Sequence, residues 1–84
     1  MTQAQSYAEE QASTCAHWAI CAANKALELD SMGLLDAAAE TARSAHLRAA
    51  WAARWADEAQ HGMAEAAAVR AGVAVARLAR ALFS

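Results

Sequence analysis

The sequence predicts an all-α fold: a single domain, residues 1–84, built as an up-down-up antiparallel three-helix bundle with alanine-rich heptad seams. Three observations support this prediction. Alanine, the strongest helix former, supplies 28 of the 84 residues. The chain has no proline and only three glycines, so few positions can interrupt a helix. Apolar residues recur every three or four positions over long stretches, which is the period of a helix face.

Two glycines, Gly33 and Gly62, divide the chain into three helical segments. Each follows a polar cluster and precedes a new helical pattern. A glycine in that position typically ends a helix in the left-handed conformation. The helices predicted from these divisions span about residues 3–31, 34–61 and 63–83.

The first predicted helix has a face of small residues and an opposite polar face. Each face repeats at intervals of four and three, which predicts nearly antiparallel, knobs-into-holes packing with closely spaced backbones. The small face is Ala8, Ala12, Cys15, Ala19, Ala22, Ala26 and Leu29. The polar face, expected to meet water, is Glu10, Thr14, His17, Cys21, Asn24, Glu28 and Ser31.

The second predicted helix carries apolar residues on two sides, so it needs two partners. Its small seam is Leu35, Ala38, Ala42, Ala45, Ala49, Ala52, Ala56 and Ala59. Off this seam lie Leu47, Trp51 and Trp55, beside Arg48 and Arg54. Tryptophan and arginine are enriched at the energetic centres of protein interfaces. These five residues are therefore the predicted interface, through which we expect the chain to associate with itself.

The third predicted helix is the most apolar, but three arginines interrupt it and make a membrane span costly. Its seam is Ala64, Ala68, Ala71, Val75, Leu78 and Leu82. Gly72 lies within this helix. In an antiparallel hairpin it falls level with Trp51, so we expect the glycine to make room for the indole.

Net charge and cysteine usage indicate which partners and which cellular compartment the protein has. The formal net charge is −2, with no basic patch of the kind that binds nucleic acid. Cys15 and Cys21 are six residues apart, a spacing that cannot be bridged within one helix. Two mostly buried thiols, and a first segment without the pattern of a secretory signal, indicate the cytoplasm. We expect neither a membrane nor a nucleic-acid partner.

Two residue groups could in principle hold a metal or haem. Glu58 and His61, with Glu65 nearby, match the Glu-x-x-His spacing of di-iron bundles, although such sites need two of these motifs. His17 and His46 fall in one layer of the first hairpin, but alanine seams leave little room for haem. Phosphate-binding loops and metalloprotease motifs are absent from the sequence. We therefore expect no cofactor and no enzymatic activity.

Three functions remain open at this point. The favoured one is a small non-enzymatic protein–protein interaction module that is homo-oligomeric and binds itself, another protein or both. The first alternative is a small metal- or haem-binding bundle that uses one of the two groups above. The second is an inhibitor or antitoxin-like regulator that covers the site of a larger protein.

Overall fold

A computed structural model describes residues 2–83, and the side chains of residues 2–82. Over this range the chain forms three helices and no strand: α1 spans Gln3–Ser31, α2 spans Leu35–Ala59 and α3 spans Gly62–Phe83. Every pair of helices is in contact. The all-α, three-helix bundle predicted from the sequence is confirmed.

The clusters of buried residues give the direction of each helix. At one end, Ala8 of α1 packs with Ala59 of α2 and Ala64 of α3. At the other end, Ala26 packs with Ala42 and Leu78. Because α2 runs against α1 while α3 runs along it, the topology is up-down-up. The bundle is a thin rod with principal extents of 47 × 18 × 13 Å.

The core of this rod is made almost wholly of alanine. Among the described residues, every buried apolar side chain is an alanine except Cys15, Val75 and Leu78. The predicted seams supply most of this core. Leu35, the first residue of α2, is the one seam residue that is exposed, and the partly buried seam residues are Ala22, Leu29, Ala49, Ala68 and Leu82. Large apolar side chains are instead found mainly on the surface.

The end of α1 confirms one predicted turn. Gly33 has a φ of +79°, and its N–H donates to the carbonyl of Asp30 at 3.0 Å. The N–H of Leu34 donates to the carbonyl of Leu29, also at 3.0 Å. This pair of bonds is a Schellman motif, in which a left-handed glycine satisfies the last carbonyls of the helix.

The end of α2 differs from the prediction. The left-handed residue is Gln60, with φ +50° and ψ +41°, and Gly62 is the first residue of α3. The connection is two residues long, so the chain must reverse at once after Ala59. The N–H of Gln60 donates to the carbonyl of Ala56 at 3.0 Å, and Gln60 therefore occupies the position where glycine was expected.

Two side-chain predictions were wrong. Gly72 is exposed, and a Cβ added there would meet no atom within 4 Å, so the glycine does not accommodate Trp51. Trp51 instead lines a groove between α1 and α2. Cys21 is exposed rather than buried, since it lies on the polar face of α1, one turn after His17.

The polar face of α1 is exposed at every predicted position.

None of the helices, within the described residues, combines the length and apolarity that crossing a membrane requires.

Candidate functional site

All three tryptophans of the chain line one open groove between α1 and α2, with a volume of about 750 Å³. We call it the aromatic groove. From α1 it is lined by Gln11, Thr14, Cys15 and Trp18, and from α2 by Arg48, Trp51, Arg54, Trp55, Asp57 and Glu58.

The position of these residues beside the alanine seams explains the groove. On α1 the sequence positions 11, 14 and 18 follow the same four-three spacing as the seam, displaced by one residue. On α2 positions 48, 51, 55 and 58 do the same. The two backbones approach closely because their facing residues are alanines such as Ala52. The larger flanking side chains cannot enter this contact, so they form the walls of a surface groove.

One end of the groove is a Trp–Arg pair. The guanidinium carbon of Arg48 lies 5.7 Å from the centroid of the Trp18 ring, a cation–π distance that joins α2 to α1. This contact covers only part of the indole, since Trp18 is still 54% exposed.

The middle of the groove contains one anchored and one open indole. Trp55 is half-buried and packs edge-on against Tyr7, with ring centroids 5.6 Å apart and planes at 86°. It also covers two of the core clusters. Trp51, one turn earlier, is 42% exposed. Trp55 therefore stabilises the bundle, while Trp51 is available for contact.

The groove is electrically polar along its length. Arg48 lies at the Trp18 end, whereas Asp57 and Glu58 lie at the Gln11 end. Ten residues of helix separate Arg48 from Glu58, or about 15 Å. Arg54 lies between them, three residues before Asp57. A molecule that fills the groove therefore meets positive charge at one end and in the middle, and negative charge at the other end.

Four of the five residues predicted as an interface line this groove: Arg48, Trp51, Arg54 and Trp55. Leu47 is 51% exposed and lies outside the lining. Sequence reasoning missed Trp18, which contributes from the neighbouring helix. Its signal was a position flanking the seam of α1, matching that of Trp51 in α2.

The Glu58, His61 and Glu65 group is not assembled as a metal site. Glu58 lies in the aromatic groove and Glu65 in the first turn of α3. His61 Nδ1 lies 3.4 Å from Glu9 Oε1 and 3.3 Å from the backbone nitrogen of Met63. Nδ1 accepts from the Met63 N–H when it is unprotonated and donates to Glu9 when it is protonated, so it makes one of these two contacts at a time. No group of three or more His, Cys, Asp and Glu that could hold a metal ion occurs in the described part of the chain.

His17 and His46 have separate surroundings. His17 Nε2 lies 3.6 Å from Cys21 Sγ, and its ring contacts that of Trp18 edge-on. His46 lines a smaller groove of about 310 Å³, together with Leu78 and Leu82 of α3. The two histidines were expected in one layer of the first hairpin, but the contacts of their side chains are with different residues.

Comparisons of this chain with protein-family models, curated proteins and solved structures found no match.

Proposed function

We propose that the protein is a small non-enzymatic helical interaction module, and that the aromatic groove is the surface on which it docks another protein chain. A second copy of this chain and a different protein are both possible partners. One observation carries the proposal: the three indoles line the surface while alanine fills the core.

The arrangement of large and small side chains is the reverse of what a self-sufficient domain favours. A buried aromatic side chain removes about 150–250 Å² from water, so an exposed indole forgoes a large stabilisation. Trp18 and Trp51 are nevertheless exposed, beside Arg48 and Arg54. Clustered aromatic and arginine side chains are typical of the centres of protein interfaces.

The chemistry of the groove supports a non-enzymatic role. Its lining includes one thiol, Cys15, and one hydroxyl, Thr14, but no histidine, the residue that most often activates such groups. Cys15 is also buried in the core. These features favour binding over nucleophilic catalysis.

We also propose the cytoplasm as the location of the protein. Cys21 is an exposed free thiol, a state that reducing compartments maintain. The mixed charges of the groove, basic at one end and acidic at the other, suit a protein partner better than a polyanion.

The test uses the immobilised chain to capture itself and proteins of its source organism, with two matched variants. In the groove variant, Trp18→Ala and Trp51→Ala remove two exposed indoles. In the control, Val69→Ala and Val73→Ala remove two exposed side chains of α3. We expect the wild type and the control to retain a stoichiometric partner, and the groove variant to bind it at least about tenfold more weakly.

Two outcomes would overturn the proposal. One is a wild-type chain that retains neither itself nor any other protein. The other is a groove variant, with unchanged helical content, that binds as tightly as the wild type.

A further inference from the structure

We propose that the aromatic groove is occupied by the same groove of a second copy, in a two-fold symmetric dimer whose α2 helices run antiparallel across the interface. This inference rests on the proposed function and specifies the partner. The order of charges and indoles along α2 supports this arrangement.

Apart from Arg54, which lies one residue from position 53, the charges of the groove are self-complementary. In a two-fold dimer, residue i of one copy meets residue j of the other, and j meets i. With the axis perpendicular to α2 near Ala53, Arg48 and Glu58 lie five residues on either side of it. Arg48 of each copy then faces Glu58 of the other, with Asp57 alongside, so this pair forms twice in the dimer. A partner of uniform charge would be repelled at one end of the groove.

The same axis also places the indoles of the two copies opposite each other. Trp51 and Trp55 lie two residues on either side of position 53, so Trp51 of one copy faces Trp55 of the other.

Helix α1 fits the same symmetry. Cys15 packs in one cluster with Ala52, so the axis crosses α1 near residues 14 and 15. Gln11 and Trp18 are then placed on opposite sides of the axis, and the indole of one copy meets the smaller Gln11 of the other. The bulky residue of each pair meets a smaller one, and the two copies do not collide.

The face is also large enough. A standard interface buries about 800 Å² on each partner. The rod has extents of 47 Å and 18 Å across its two longest directions, so one long side can supply this area.

Sedimentation equilibrium of two opposite charge reversals tests the arrangement. The single variants are Arg48→Glu and Glu58→Arg, and Arg70→Glu on the exposed surface of α3 is the control. Each single variant places like charges together twice, so its dimer dissociation constant should rise by about tenfold or more. Mixed in equal amounts, the two variants form a heterodimer in which both pairs are again opposite in charge. We expect the mixture to recover the wild-type affinity.

This recovery separates a contact between copies from a change within one copy. Arg48→Glu also removes the cation–π contact with Trp18 in its own chain, and mixing cannot restore that contact. The inference is overturned if the wild type stays monomeric at all concentrations, if the single variants dimerise as the wild type does, or if mixing gives no recovery. A monomeric wild type that still captures a different protein through its groove would overturn this inference and leave the proposed function standing.

Discussion

At the scale of single residues, the two turns each contain a residue in the left-handed conformation, but the residue types differ. Gly33 adopts its left-handed conformation without a steric cost because it has no Cβ. Gln60 adopts a similar conformation with a full side chain, which costs roughly 1–2 kcal/mol relative to a right-handed residue. The turn between α2 and α3 is therefore less stable than it would be with glycine at position 60.

Replacing Gln60 with glycine should stabilise the protein. We expect Gln60→Gly to raise the free energy of unfolding by about 1 kcal/mol, since the backbone conformation stays the same and the Cβ strain is removed. Denaturant unfolding followed by circular dichroism measures the change. Gln60→Ala is the control and should give no gain. A glycine variant less stable than the wild type would show that the Gln60 side chain contributes more than its strain costs.

Gly72 should behave in the opposite way to Gly33. Gly72 lies within α3 with open space around it, so Gly72→Ala should add about 1 kcal/mol of stability through helix propensity. Gly33→Ala should lower stability, because alanine is strained at a φ of +79°. Thermal unfolding of the two variants provides the comparison. A loss of stability in Gly72→Ala would mean that another chain packs against this position.

The histidine and carboxylate positions lead to a prediction about metal content. Glu58 lines the aromatic groove, His61 contacts Glu9, and Glu65 lies in the first turn of α3, so we expect the purified protein to carry no stoichiometric metal. Elemental analysis of protein purified without chelators tests this. About one transition-metal ion per chain or per dimer would contradict it, and its loss in Glu58→Ala would locate the site.

At the scale of helices, the alanine seams decide how closely the elements pack. Ala19, Ala52 and Ala71 meet in one central cluster, and each belongs to a different helix. The buried residues of this central cluster are all alanines except Cys15, whereas the larger buried side chains, Val75 and Leu78, lie in the cluster with Ala26 and Ala42. Flanking indoles such as Trp18 and Trp51 are left on the surface, where they line the aromatic groove.

Enlarging a seam alanine should therefore separate the helices. We expect Ala71→Leu, at a fully buried position, to lower the free energy of unfolding by at least about 2 kcal/mol through overpacking. Ala76→Leu, at an exposed position of the same helix, is the matched control and should have little effect. Equal unfolding midpoints for the two variants would show that the seam can expand at little cost.

The seams and the end of α1 could be predicted from the sequence because both depend on local pattern. Four-three spacing identifies Ala12 or Ala45 as core without knowing its neighbours. The pairing of Trp18 with Arg48 could not be predicted in this way, since it depends on the axial register of α1 against α2. A shift of a few residues in that register changes which flanking side chains meet. The left-handed conformation of Gln60 was not predicted for another reason. The geometry of the turn imposes this conformation although glutamine seldom adopts it.

At the scale of the whole molecule, the protein exposes more surface than its mass requires. Its accessible surface is 5404 Å², whereas a compact monomer of 8.8 kDa exposes about 4,800 Å². The excess follows from the thin, rod-like shape that alanine packing produces. Association along the groove would cover part of this surface and supply the apolar burial that the core lacks.

The intrinsic fluorescence of tryptophan tests the central claim most directly, because every tryptophan of the chain lines the aromatic groove. The measurement is the emission maximum and its quenching by acrylamide, followed as the protein concentration rises and again in the complex with any captured partner. If the groove is a docking surface, the emission shifts to the blue and quenching falls as association proceeds. An emission maximum and a degree of quenching that do not change with concentration, in a protein that is monomeric throughout and binds no partner, would contradict the account.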